Sequence, residues 1–299
     1  MELPVIYKTK VVDALKNERE RYDITLKEFC RKMGINQGSY SRLINGEIEG
    51  VVSNKELLRI GRDLGVKAKE SNWTTARTRV YDEMEESLMF SKQFNKSFIL
   101  VDDSGVGKTH CAKHIISGMK NAFYLDCSEA KTPQLFTREL GRIVGIDNRG
   151  RFVDVKRDLK YTLNSIQDPI VVLDDAGYLD AKTFIEIIEY WNGTEGNCAW
   201  YMIGDDALEQ KIEKGISSKK PGFRAVFNRF NESYSHIVPA GKDDRRDFLM
   251  ELINDVATLN LPEDADVMPY VKACIVTDRD KNAEHKLLRT LKTMIERHA

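Results

Sequence analysis

The sequence predicts an α/β protein: a mostly parallel sheet with helices on both faces, a small all-helical segment ahead of it and a short helical lid behind it. Three observations predict this. From Ser97 onward, short apolar runs alternate with amphipathic helical runs. One of these runs, Phe98–Val101, passes straight into a tight loop with two glycines and then Lys108-Thr109. Residues 1 to about 66, by contrast, read as a bundle of short helices.

Leu26, Phe29, Cys30 and Met33 recur at helical spacing after a Thr cap, and Gly34 stops that helix. A second short helix runs over Gln37–Ile44, ended by Asn45-Gly46, and a third from Asn54 to Leu64. Two short helices with a Gly turn between them form the helix-turn-helix arrangement. Gln37, Ser39, Tyr40 and Arg42 are read as exposed and suited to DNA, because Gln can bond adenine and Arg guanine or phosphate. From Ile35-Asn36-Gln37 through Ser41-Arg42 to Gly46, the segment resembles the Cro/repressor class, whose second helix commonly reads I-x-Q-x-x-x-S-R-x-x-x-G. Residues 1–70 carry 14 Lys and Arg against 11 Asp and Glu, a small excess, so a helical protein-docking segment is the alternative.

Lys67–Asn72 is polar and without apolar period, and reads as a linker. Thr74 or Thr75 then caps a helix to about Gln93, with Val80, Met84, Leu88 and Met89 on one side. Strands are expected at Phe98–Val101, Ala122–Leu125, Pro169–Leu173, Cys198–Ile203 and Ser233–Val238. Helices are expected from Lys108 and over Thr132–Val144, Val153–Ile166 and Ala181–Trp191. Asp243–Leu259, Glu263–Val276 and Asn282–Arg297 would form the lid. The expected division is 1–66 helix-turn-helix, 67–96 linker and leading helix, 97–240 nucleotide core, and 241–299 lid.

The glycine loop is a phosphate cradle. It approaches G-x-x-x-x-G-K-[ST], in which loop N–H groups and a helix N-terminus surround phosphates, Lys reaches the β/γ-phosphates and Thr ligands Mg²⁺. Asp103, Ser104, Gly105, Val106, Gly107, Lys108, Thr109 and His110 are therefore the expected nucleotide-binding residues. Asp102 stands where the first Gly belongs, which would set a carboxylate near the phosphates and weaken binding. The second signal is Ile170–Leu173 followed by Asp174-Asp175, a buried strand ending in two carboxylates. Asp174 would hold Mg²⁺ beside the Thr109 hydroxyl, and Asp175 would orient or deprotonate the attacking water.

With these motifs in this order, residues 97–240 resemble an AAA+ P-loop ATPase. The resemblance implies a sensor I at the end of the next core strand, here Asp205, and an arginine finger reaching a neighbouring subunit's nucleotide, here Arg229 with Arg224 as runner-up. It also implies a sensor II, for which Arg289 is the candidate catalytic residue in the lid. A helix-turn-helix before such a core resembles the phage Mu transposition protein B group. That resemblance implies ATP and Mg²⁺ as cofactors, self-assembly into a ring or helical filament on double-stranded DNA without strong sequence preference, and delivery of that DNA to a transposase. Hydrolysis would be slow and assembly-dependent. A replication initiator or helicase loader, and an ATP-controlled helix-turn-helix transcription regulator, are the alternatives.

Bulk composition excludes several classes. The net charge is only −1 with 31% charged residues, so a DNA surface must be local. Lys131, Arg149 and Arg151 are the candidate phosphate contacts in the core, with Lys219-Lys220 beside them. Five scattered cysteines with no C-x-x-C pair imply a reduced, cytoplasmic protein without a zinc site. No apolar run is long enough for a membrane span, and no leader peptide is evident.

Overall fold

A computed structural model describes residues 3–22, 24–67, 73–275 and 287–298. The chain opens with α1 (Val5–Glu20), which buries Val11 and Leu15. Helix α2 (Leu26–Met33) starts at a reciprocal box: the Thr25 hydroxyl accepts the Glu28 N–H while the Glu28 carboxylate accepts the Thr25 N–H. Gly34, at φ 59°, ends it in the left-handed conformation that glycine adopts without strain. Asn36 caps α3 (Gln37–Ile44), and a second box at Ser53 and Glu56 opens α4 (Asn54–Asp63). The expected linker lies, from residue 68 to residue 72, outside the described residues.

Helix α5 (Arg79–Phe94) begins at Thr78 rather than at Thr74 or Thr75. The reason is that the Thr74 backbone is held by the Asn260 side chain and the Thr75 hydroxyl by His110, whereas the Thr78 hydroxyl is free to accept the Tyr81 N–H. Val80, Met84 and Leu88 are buried as expected; Met89, one step around the helix from Leu88, is 56% exposed.

The core follows as β1 (Phe98–Val101), α6 (Lys108–Ser117), β2 (Ala122–Asp126), α7 (Pro133–Val144), α8 (Phe152–Ser165) and β3 (Ile170–Asp174). After a 3-10 turn at Ala176–Tyr178 come α9 (Ala181–Gly193), β4 (Ala199–Gly204), α10 (Asp206–Ser217), α11 (Phe223–Arg229) and β5 (Tyr234–Ser235). The C-terminal helices are α12 (Lys242–Asn260), α13 (Met268–Cys274) and α14 (Leu287–His298). The expected third lid helix was to start at Asn282; residues 276–286 lie outside the described residues. The strands form one sheet in the order β2-β3-β4-β1-β5, with every neighbouring pair parallel. Strand β5 is shorter than the expected Ser233–Val238, because the N–H groups of Ile237 and Val238 go to the Asp102 carboxylate instead of to a ladder.

Alternate strand residues feed two cores, so both faces of the sheet are buried. Ile99, Val101, Leu173 and Met202 face α7 to α11, and that core runs on into the N-terminal helices. Leu100, Val172 and Ile203 face α5, α6 and the C-terminal helices. The Tyr22 ring stacks on Phe123 at 6.0 Å and the Arg21 guanidinium donates to the Ile116 carbonyl at 2.8 Å, fastening the helix-turn-helix to the sheet. All five cysteines are free and buried. No helix among the described residues is long and apolar enough to cross a membrane.

Candidate nucleotide site

The loop after β1 is bent by Gly105 and Gly107, at φ 88° and 102°. Gly107 is the N-cap of α6 and contributes no side-chain cap, so the first-turn N–H groups of that helix remain available to an anion. Lys108 is buried, and its ammonium donates to the carbonyls of Asp102 and Asp103, both at 2.7 Å. Burial lowers its pKa, and the carboxylates of Asp102, Asp205, Asp174 and Asp103, in that order of strength, oppose the shift. One buried cation thus lies in the field of the two strand ends that the sequence nominated. Ser104, Thr109 and His110 are exposed around the loop and Val106 is buried beneath it. The His110 ring is tied to the Thr75 hydroxyl at 2.9 Å.

Asp102 does not behave as the sequence suggested. Its Oδ2 accepts the N–H groups of Ile237 at 2.6 Å and Val238 at 2.9 Å, and its Oδ1 accepts the Asp103 N–H at 2.9 Å. Three backbone donors hold the carboxylate, so it clamps the phosphate loop to the segment after β5 while its charge still bears on Lys108.

Asp174, only 2% exposed, ends β3 and pairs in register with Asp126 of β2. Its Oδ1 accepts the Asp175 N–H at 3.0 Å and its Oδ2 accepts the Tyr124 hydroxyl at 2.5 Å. Asp175 is exposed and left-handed at φ 54°, an uncommon backbone for a residue other than glycine. Partial desolvation of its carboxyl raises its pKa, the carboxylates of Asp174, Asp126 and Asp205 raise it further, and Lys108 opposes them. Asp205 follows β4 and its carboxylate caps α10 through the Ala207 N–H at 3.2 Å.

The donor set suits Mg²⁺. Among the described residues no group of three or more His, Cys, Asp or Glu side chains is poised to hold a metal. Mg²⁺ bound to a triphosphate needs only one or two protein oxygens, and the Thr109 hydroxyl with the Asp174 carboxylate would supply them.

The C-terminal helices lean on the same loop. Arg245 of α12 pairs with the Asp103 carboxylate, and the Leu288 N–H donates to the Gly105 carbonyl at 3.3 Å. Arg289 is exposed in that same first turn of α14. The two finger candidates differ. Arg229 is bound within its own chain: Nε to Asn192 at 2.7 Å, Nη1 to the Ala225 carbonyl at 2.9 Å, and the guanidinium 5.4 Å from the Trp191 ring. Arg224 is exposed, its one ion pair among the described residues a 4.0 Å contact to Glu232, and it lines an open groove with Lys219 and Lys220.

Of the expected DNA contacts, Gln37 and Arg42 are exposed and Ser39 is half-buried with its N–H held by Asn36. Arg42 is paired with Glu47 at 2.7 Å in solvent. Tyr40 corrects the sequence reading: it is 5% exposed and packs edge-on against Phe29, because it lies three residues before Leu43 on the inward face of α3. Lys131, Arg149 and Arg151 are exposed; Lys131 lies over the Tyr178 ring and Arg151 pairs with Asp154. Tyr124, Asp126 and Arg245 escaped notice in the sequence. Tyr124 and Asp126 stand two apart on β2, a signal that only the register with β3 turns into a site.

Residues 92–212 match the AAA domain family and residues 15–70 the helix-turn-helix family. Among solved structures, the ORC2 protein of Aeropyrum pernix, solved as ADPNP–ADP complexes, is similar with a TM-score of 0.54 at 14% identity, over 77% of this chain and 64% of that one. The ORC1 protein of the same organism in complex with DNA gives 0.45 at 13% identity over 76% and 66%, and NtrX from Brucella abortus 0.41 at 17% over 86% and 57%. The chain therefore spans about two thirds or less of the length of these proteins. No curated protein matches it. The chain carries an AAA+ P-loop NTPase fold behind an N-terminal helix-turn-helix.

Proposed function

We propose that this protein binds ATP with Mg²⁺, assembles with copies of itself on duplex DNA with little sequence preference, and delivers that DNA to a transposase, hydrolysis then dissolving the assembly. The observation that carries the nucleotide part is the buried Lys108 ammonium set in the field of Asp174 and Asp205 beside an open helix N-terminus. Lys108 would exchange the two loop carbonyls for β/γ-phosphate oxygens, and Asp175 would take the proton of the attacking water. Mg²⁺, held by Thr109 and Asp174, would neutralise charge on the triphosphate. Asp205 and Arg289 would respond to the γ-phosphate, and an arginine from a neighbouring subunit would complete the site, making turnover depend on assembly.

The AAA domain match and the fold shared with a protein solved with adenine nucleotides support the first step. The helix-turn-helix match and the exposed Gln37 and Arg42, with Lys131, Arg149 and Arg151 on the core, support duplex binding. The transposase step rests on the order of the two parts and the resemblance to the Mu B group. Titration of the full chain with a fluorescent ATP analogue should give a saturable, Mg²⁺-requiring signal that Lys108→Ala removes together with ATP-dependent assembly on DNA. No such signal would end the proposal. Adding the protein to a strand-transfer assay with a transposase encoded beside it should stimulate transfer; stimulation of helicase loading instead would favour an initiator, and binding confined to one palindrome a transcription regulator.

A further inference from the structure

A cavity of about 370 Å³ lies away from the phosphate loop, between the helix-turn-helix and the ATPase core. Its walls carry five cations: Arg21 of the α1 C-cap, Lys32 of α2, Arg62 of α4, Lys113 of α6 and Arg142 of α7. Two acids, Glu18 and Asp63, line it as well. Those acids are already engaged: Glu18 pairs with Arg21 at 2.8 Å and Asp63 with Arg62 at 3.1 Å. Arg142 pairs with Glu139 outside the cavity wall at 2.6 Å and reaches Asp63 within it at 3.9 Å.

Two buried donor atoms are left without an acceptor among the described residues. The Lys32 ammonium is shut off from solvent and has no hydrogen-bond partner among the described residues, and Arg21 Nε is in the same position. Lys32 meets the face of the Tyr22 ring at 3.3 Å, and burial pushes its pKa down to about 7 against the opposing pull of Glu18. Its stem is threaded over Gly145, where a Cβ would stand 2.6 Å from Lys32 Cδ. An ammonium that could have reached solvent is instead inserted into the joint between the helix-turn-helix and the core, where only the Tyr22 ring and Glu18 favour its charged form, and an anion beside it would hold it charged.

We infer that this joint is a binding site for a small phosphate-bearing anion, held by Lys32 and Arg21 with Arg62, Lys113 and Arg142 around it. A phosphate offers acceptors enough for two orphaned cationic donors and the surrounding guanidinium groups, and the volume admits more than one phosphoryl group. Such a ligand bridges α1, α2 and α4 to α6 and α7, and so braces the helix-turn-helix against the core. The cavity wall also includes Tyr124, whose hydroxyl bonds Asp174, so the two sites share a residue.

The test uses the full chain carrying Lys108→Ala, which removes phosphate binding at the glycine loop, and inorganic pyrophosphate as the calorimetric titrant in chloride buffer. One saturable site is expected, with affinity reduced at least tenfold by Lys32→Met, whose side chain fills the same slot without charge. Arg62→Gln, at an exposed side chain, provides a second variant and should weaken binding several-fold. Absence of saturable binding, or affinity unchanged from the parent chain in both variants, overturns the inference. So does a tenfold loss of duplex DNA affinity in Lys32→Met with pyrophosphate binding unchanged, which would make the phosphate that of a DNA backbone. If Lys108→Ala still binds ATP, the glycine-loop reading fails instead, and the effect of Lys32→Met is read in the unmutated chain.

Discussion

The carboxylate of Asp102 accepts the backbone N–H of Ile237 at 2.6 Å, linking the first residue of the phosphate loop to a segment 135 residues later. The position that departs from the phosphate-loop pattern therefore ties the loop to the segment that leads into the C-terminal helices. Arg245 on Asp103 and the Leu288 N–H on Gly105 reinforce the same link.

Restoring the glycine of the pattern should then harm the protein. Asp102→Gly leaves the N–H groups of Asp103, Ile237 and Val238 without their acceptor in a buried place, an expected loss of about 2–4 kcal/mol. Thermal unfolding should show a lower Tm and ATP affinity should not improve; tighter ATP binding at unchanged Tm would return Asp102 to the role of an electrostatic obstacle.

Tyr124→Phe separates orientation from metal binding. The hydroxyl holds Asp174 Oδ2 at 2.5 Å inside an almost fully buried site. Partners that orient a ligating carboxylate typically contribute about 10–100-fold in metal affinity. The Mg²⁺ concentration for half-maximal ATP binding should rise by about tenfold, and a fall would mean that Tyr124 competes with the ion.

Turnover should carry an acid limb set by Asp175. Partial desolvation of its carboxyl raises its pKa first, Asp174, Asp126 and Asp205 add to it, and Lys108 opposes them. A base works only when ionised, so hydrolysis should fall away as pH drops through a value above that of an ordinary aspartate. Asp126→Asn removes one of the neighbouring charges and should move that limb toward lower pH in single-turnover rates, whereas Asp175→Asn should bind ATP and fail to turn it over.

Arg224 and Arg229 make opposite predictions. Because Arg229 is committed to Asn192 and Ala225 of its own chain, Arg229→Ala should lower the Tm slightly and leave ATPase rate at high protein concentration nearly intact. Arg224 is exposed beside an open groove, so Arg224→Ala should leave the Tm unchanged and reduce the assembled rate by 10³-fold or more, the scale of an arginine supplied in trans. The reverse pattern in the two rates would restore Arg229.

The parts legible in the sequence are those whose causes are contiguous along the chain. The apolar run Phe98–Val101, the two loop glycines with φ above 80°, the cap at Thr25 and the strand ending in Asp174-Asp175 each specify their own backbone. Tyr40 lies between: its three-residue spacing from Leu43 was readable as burial, yet its aromatic hydroxyl invited a DNA role. What tertiary structure alone decided was which distant groups share a partner. A carboxylate such as Asp102 or Asp174 is a ligand, a clamp or a base according to the donors that arrive beside it, and those donors come from strand register and helix docking across more than a hundred residues or across the sheet. Lys32 shows the same division: the sequence makes it one more charge on an amphipathic helix, and only the closing of one domain over another strips the water from its ammonium.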